Sequence, residues 1–145
     1  MIKCFDVANY FLSLSNDGIS GDLMSNLKLQ KLVYYAQGFY LAMFDKPLFN
    51  ETIEAWTYGP VCPELYHKYK KYESSAIQVP ENIDFAIYDN DLISFLDEIY
   101  EVYGQFSAWK LMNMTHVEPP WKDTKIGDII THNALKSYFK TMVSD

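Results

Sequence analysis

Apolar side chains recur three and four positions apart along most of this sequence, and this spacing is the feature that most restricts the fold. It places apolar residues on one face of an α-helix, so it predicts helices that pack through those faces. The first run predicts a helix that ends at about Ser15, before a stop signal at residues 16–18. Its repeating residues are Cys4, Val7, Tyr10, Phe11 and Leu14.

A longer run follows Ser25 or Asn26, and either side chain can cap a helix at that point. Its buried face consists of Leu29, Leu32, Val33, Ala36, Tyr40 and Met43. Polar side chains occupy the rest of the circumference, namely Lys28, Gln30, Lys31 and Gln37. We therefore expect the central helix of the fold here, with its polar residues away from the apolar face.

Residues 53–58 alternate between two faces instead of following the helical period. One face carries Ile53, Ala55 and Thr57, and the other carries Glu54, Trp56 and Tyr58. Such alternation predicts a short strand. The mixed sequence of residues 74–89 predicts one or two short extended segments that can pair with this strand.

Four more helices are predicted further along the chain. Their start signals are Pro60 with Pro63, Asp89 or Asn90, Ser107, and Thr131. The length of 145 residues fits one hydrophobic core better than two. We expect a mainly α (α+β) fold, with about six helices packed in one domain over residues 1–145 and a small β-sheet or hairpin.

The charge balance argues against a nucleic-acid binder. The chain has 12 Lys and Arg residues against 19 Asp and Glu, which gives a net charge of −7, whereas phosphate binding needs clustered cations. Two cysteines give no disulfide framework. No uncharged run reaches the about 18 residues that a membrane span needs. We expect a cytoplasmic protein that binds neither nucleic acid nor membrane.

Side chains that bind metals or act as nucleophiles are few and scattered. They are Cys4, Cys62, His67, His116 and His132. None belongs to a closely spaced pair of the kind that marks a zinc site. The chain also lacks a phosphate-binding glycine motif. We therefore expect no metal, no cofactor and no enzyme activity.

Four segments, taken together, resemble a known family. They are residues 29–38 (LQKLVYYAQG), 47–49 (PLF), 53–61 (IEAWTYGPV) and 115–121 (THVEPPW). In this order and spacing they resemble the Panacea domain, the SocA-like family of phage-associated proteins and antitoxins. The similarity extends from the first predicted helix to the last.

The resemblance implies a mainly helical domain that neutralises a toxin encoded beside it, and it does not imply catalysis. On this basis we expect an antitoxin of a toxin-antitoxin system whose partner is a protein toxin encoded nearby. Binding would block the active surface of the toxin, hide its target site, or deliver it to a protease. The alternatives are a phage-associated regulatory or proteolysis adaptor and, with less support, an enzyme with a site near His116.

Aromatic residues are the expected anchors for this partner. They make up 17% of the chain, which exceeds what one small core readily hides, and they give large contact areas at low entropy cost. We predict Tyr34, Trp56 and Tyr58 as partner-binding residues. For His116 and Trp121, beside a proline-rich turn, we favour packing roles, with Trp121 folded back against the domain.

Overall fold

The computed structural model describes residues 1–15 and 24–143, so the stop signal predicted at residues 16–18 lies outside the described part. Within it the elements are α1 (Cys4–Leu14), α2 (Asn26–Phe44), β1 (Ile53–Trp56), β2 (Gly59–Val61), α3 (Pro63–Tyr69), α4 (Asn90–Tyr103), α5 (Ala108–His116), α6 (Pro119–Lys122), β3 (Ile129–Ile130) and α7 (His132–Lys140). Short 3₁₀ helices span Lys70–Tyr72 and Phe85–Ile87. The predicted class, mainly α with a small sheet, is confirmed. None of the helices described here is long and apolar enough to cross a membrane.

Helix α2 is the centre of the fold, as its apolar spacing predicts. Ser25 caps it, because the backbone N–H of Lys28 donates to Ser25 Oγ at 3.2 Å. The helix packs against α1, α3, α4, α5, α7 and β2. Its contact with α7 is close because position 38 is glycine: a Cβ there would lie 2.2 Å from the ring of Phe139.

The polar side chains of α2 are buried, contrary to the expectation that they lie away from the core. The helix is enclosed over most of its length, so these side chains bind the backbones of neighbouring segments; at its C-terminal end Met43, expected on the buried face, is 47% exposed. Gln37 is the clearest example: its Nε2 donates to the carbonyl of Phe49 and its Oε1 accepts from the N–H of Leu48, both at 2.8 Å. Lys28 Nζ likewise donates to the carbonyl of Gly104 at 2.7 Å. Such bonds offset the cost of burying polar groups.

The sheet has the strand order β2-β1-β3, and both pairs are antiparallel. The predicted strand over residues 53–58 ends early, because Thr57 and Tyr58 form the two-residue turn of a β1–β2 hairpin. The extended segments predicted in residues 74–89 do not pair with β1; β2 and β3 occupy its two edges. Ile77 instead donates its N–H to the carbonyl of Met24 at 2.9 Å.

Candidate partner-binding surface

The turn of the β1–β2 hairpin carries aromatic side chains to the surface. Tyr58 lies in the turn and is 64% exposed. Trp56 precedes it, is half-buried, and donates from Nε1 to Glu54 Oε1 at 3.0 Å. The ring of Tyr66, from α3, meets the Trp56 ring edge-on with 4.9 Å between centroids. The hairpin therefore holds two of the three predicted anchors next to each other.

A groove of about 690 Å³ opens beside this turn. We call it the hairpin groove. Its apolar lining includes Trp56, Tyr58, Val61, Trp109, Met112 and Ile126. Trp109 is 67% exposed and Ile126 is 53% exposed, although such side chains are commonly buried. A continuous exposed apolar surface of this kind is typical of a binding site.

Trp109 is a candidate anchor that the sequence analysis missed. The helical spacing of α5 directs Leu111, Met112 and Thr115 inward, and all three are buried. Trp109 lies off that face near the start of the helix. An aromatic residue at an outward helical position is the signal that marks it, but only the fold brings it beside the hairpin.

Two buried side chains of α2 hold the hairpin in place. Lys31 Nζ donates to the carbonyl of Pro60 at 3.2 Å, and Gln30 Oε1 accepts from the N–H of Cys62 at 2.8 Å. Gly59 permits this approach: its φ is +114°, and a Cβ there would lie 2.6 Å from Lys31 Cε. Burial lowers the pKa of Lys31 to about 7, because it disfavours the charged form. These contacts fix the hairpin backbone that borders the groove.

His116 and Trp121 pack behind the turn. Trp121 Nε1 donates to the carbonyl of Trp56 at 2.8 Å, so Trp121 does fold back against the domain. The His116 ring stacks on the Trp121 ring with 4.2 Å between centroids. The Nε2 atom of His116 is buried and has no hydrogen-bond partner in residues 1–15 and 24–143. Trp121 therefore supports the hairpin directly, and His116 packs against Trp121.

Tyr34 does not have the exposure that a partner-binding role requires, so we correct that prediction. Its side chain is fully buried. The hydroxyls of Tyr34 and Tyr35 donate to the two carboxylate oxygens of Glu118, each at 2.9 Å. Burial raises the pKa of Glu118 to about 7, although the two hydroxyl groups oppose the shift. Tyr34 faces inward because neighbouring elements enclose this part of α2 on every side.

Folding also gathers side chains that can bind a metal. The thiol sulfur of Cys4 and carboxylate oxygens of Glu51 and Glu64 lie within 4.8 Å of one another. The absence of paired ligands in the sequence led us to expect no such group. Because the three residues come from different parts of the chain, their spacing in sequence carries no sign of the cluster.

These features define a small, mainly helical domain with an exposed aromatic groove. The family model described as "Antitoxin SocA-like, Panacea domain" matches residues 29–122. The chain belongs to this SocA-like Panacea-domain family, which confirms the resemblance of the four segments.

A curated relative also supports membership of this family. The protein named "Antitoxin SocA" from Caulobacter vibrioides (strain NA1000 / CB15N) is 30% identical over an alignment of 109 residues, which covers 68% of this chain. The aligned part spans 58% of the length of that relative. No solved structure matches the chain.

Proposed function

We propose that this protein is an antitoxin that neutralises a protein toxin, encoded by a neighbouring gene, by binding it directly through the hairpin groove. The observation that carries the proposal is the exposed aromatic lining of the groove in a member of this family. The name of the relative, "Antitoxin SocA", supports the antitoxin role. The groove supports direct contact as the means of neutralisation.

The groove has the chemistry of a protein-binding site. Tyr58 and Trp109 offer large rigid rings together with polar groups at their edges, and such residues are frequent among the contacts that dominate protein–protein affinity. Lys31 and Gln30 fix the hairpin through buried hydrogen bonds. A surface that is already ordered loses less conformational entropy when a partner binds.

Charge contributes to the rate at which the partner arrives. The chain carries a net charge of −7, so it attracts a basic toxin over distances of about one Debye length, roughly 10 Å at moderate salt. The apolar lining of the groove then contacts the bound toxin and slows its dissociation. Added salt should therefore slow association more than it speeds dissociation.

We propose that the protein acts without catalysis and in the cytoplasm. The packed position of His116 against Trp121 supports a structural role for this residue. A catalytic base must reach the proton that it removes, and the buried Nε2 of His116 lies behind the hairpin. Stoichiometric binding accounts for neutralisation without a reaction.

Co-expression with the product of the neighbouring gene tests this function. The toxin alone should stop growth, co-expression should restore it, and the two proteins should co-purify. Toxin abundance should stay constant during rescue if binding masks it, and should fall if binding delivers it to a protease. Rescue without a complex contradicts neutralisation by binding, and a harmless neighbouring product contradicts the choice of partner.

A further inference from the structure

A mixed cluster of sulfur and oxygen ligands lies where three chain segments meet. Cys4 is the first residue of α1, Glu51 precedes β1, and Glu64 is in the first turn of α3. Their potential ligand atoms lie within 4.8 Å of one another. Cys4 is fully buried, Glu51 is half-buried and Glu64 is exposed. The cluster therefore extends from the interior to the surface, which gives an ion a route of entry.

Cys62 is a second thiol, outside this cluster. It directly precedes α3, and contact with it, together with burial, raises the pKa of the Cys4 thiol. The ligand atoms that lie within 4.8 Å of one another are those of Cys4, Glu51 and Glu64, which give one sulfur and two carboxylates. Zn²⁺ binds thiolates and carboxylates, and a site with three protein ligands leaves a fourth position for water. The donor types and their number fit such a site.

The cluster concentrates negative charge that the protein itself leaves uncompensated. Neither Glu51 nor Glu64 forms an ion pair with any residue that the structure describes. Glu51 Oε1 accepts the backbone N–H of Cys4 at 3.1 Å, so its carboxylate is held beside the thiol. A bound divalent cation would neutralise both carboxylates and favour an ionised Cys4 thiol, whose proton passes to solvent.

We propose that Cys4, Glu51 and Glu64 form a binding site for a thiophilic divalent cation, with Zn²⁺ as the best fit. The ion would join the start of α1, the segment before β1 and the start of α3. Helix α3 carries Tyr66, which contacts Trp56 in the hairpin groove. The site would therefore stabilise a boundary of the groove without lining it.

The test uses the full chain, kept reduced and stripped of metal with a chelator. Zn²⁺ alone is added in competition with a chromophoric chelator, and Co²⁺ is added separately to detect thiolate ligands by their charge-transfer absorption. The variants are Cys4→Ser and Glu64→Gln. The matched control is Glu98→Gln, an exposed glutamate on α4. Circular dichroism identifies which variants are folded.

We expect one Zn²⁺ per chain and a thiolate band in the Co²⁺ complex. The band should be lost in Cys4→Ser. Even residues that only support metal ligands affect affinity by about tenfold or more, so Glu64→Gln should weaken Zn²⁺ binding at least about tenfold, while Glu98→Gln should not. If Cys4→Ser does not fold, Glu64→Gln decides, because its side chain is exposed.

Three results would overturn the proposal. The first is the absence of stoichiometric binding to the wild-type chain. The second is equal affinity in the Glu64→Gln and wild-type proteins. The third is a Co²⁺ complex without a thiolate band, which would mean that Cys4 is not a ligand. A Cys4–Cys62 disulfide that forms at the same rate with and without Zn²⁺ would also count against it, because a bound ion protects its thiolate.

Discussion

The hydroxyl of Tyr34 donates a 2.9 Å hydrogen bond to the carboxylate of Glu118, 84 positions further along the chain. Tyr35 donates to the other oxygen of the same carboxylate. The ring of Tyr35 also stacks on Tyr103, with 3.9 Å between centroids. These contacts tie α2 to the beginning of α6 through groups that are all buried. Glu118 therefore couples the stability of the fold to pH.

Stability should fall as the pH rises towards neutrality. Burial raises the pKa of Glu118 from 4.5 to about 7, so the folded state holds this proton more tightly than the unfolded state. The resulting stabilisation is complete below about pH 4.5 and is lost as the pH rises through about 7. In full it amounts to about 3 kcal/mol in the free energy of unfolding. Urea unfolding at about pH 5 and about pH 7 should show a loss of about 2 kcal/mol between these two pH values.

The Glu118→Gln variant is the control for this pH effect. Glutamine keeps a carbonyl oxygen to accept one tyrosine hydroxyl and cannot titrate. The difference in unfolding free energy between the two pH values should therefore be smaller than in the wild type by about 2 kcal/mol. An equal difference in both proteins would show that Glu118 titrates normally.

Lys31 should make the free energy of unfolding rise with pH, the opposite sign to Glu118, and should do so at higher pH. Its pKa is lowered from 10.5 to about 7, so its stabilising contribution is complete above about pH 10.5 and is lost as the pH falls through about 7. The unfolding free energy should rise between about pH 7 and pH 9 by at most about 1.4 kcal/mol per pH unit. Lys31→Met should lack this rise, whereas Lys122→Met, at an exposed position, should keep it.

Gly59→Ala should destabilise the protein more than Gly127→Ala. Both glycines have positive φ, +114° and +94°, so alanine is strained at each. A Cβ at position 59 would also lie 2.6 Å from Lys31 Cε, whereas nothing lies within 4 Å of a Cβ at position 127. Overpacking typically adds about 1–3 kcal/mol. Equal losses of unfolding free energy would contradict the close contact between the hairpin and α2.

Chelation should leave the helical circular dichroism signal and the cooperative melt in place. The buried apolar residues form one continuous core that includes side chains from α1, α2, α4, α5 and α7. Such a core supports the fold without an ion, and the proposed metal site would only add stability. Loss of the helical signal in the presence of a chelator would show that folding depends on metal.

Features that depend on neighbouring residues could be predicted from the sequence. Ser25, Asp89, Ser107 and Thr131 all cap the helices that they were expected to start, because capping involves residues two or three positions apart. The apolar faces of the helices follow from the same local periodicity. The number and placement of helices are therefore largely contained in short stretches of sequence.

Features that depend on distant residues could not be predicted in this way. Lys31 contacts a carbonyl 29 positions away, and Tyr34 contacts a carboxylate 84 positions away. Nothing in the local period of α2 indicates that its polar face would be covered as well. The same is true of the groove, since Trp109 approaches the hairpin only when α5 packs on α2.

The four segments that carry the family resemblance are joined by these long-range hydrogen bonds. Gln37 binds residues 48 and 49, Lys31 binds Pro60, and Tyr34 binds Glu118. Trp121, in the last of these segments, donates to the carbonyl of Trp56 in the third. Much of the motif thus builds the framework around α2, which explains why Tyr34 was mistaken for an anchor.

The most direct test of the account is the affinity of groove variants for the toxin of the neighbouring gene, measured by isothermal titration calorimetry. Tyr58→Ala and Trp109→Ala are compared with Phe85→Ala, which removes a 51% exposed ring outside the groove. Trp56→Ala is included if it remains folded. Removal of a true anchor costs about 2 kcal/mol or more, a loss of roughly thirtyfold in affinity.

We predict such a loss for Tyr58→Ala and Trp109→Ala, with the affinity of Phe85→Ala close to that of the wild type. Circular dichroism and thermal melts should show that all the compared variants are folded. If the two folded groove variants bind the toxin as tightly as Phe85→Ala does, the hairpin groove is not the surface that neutralises it.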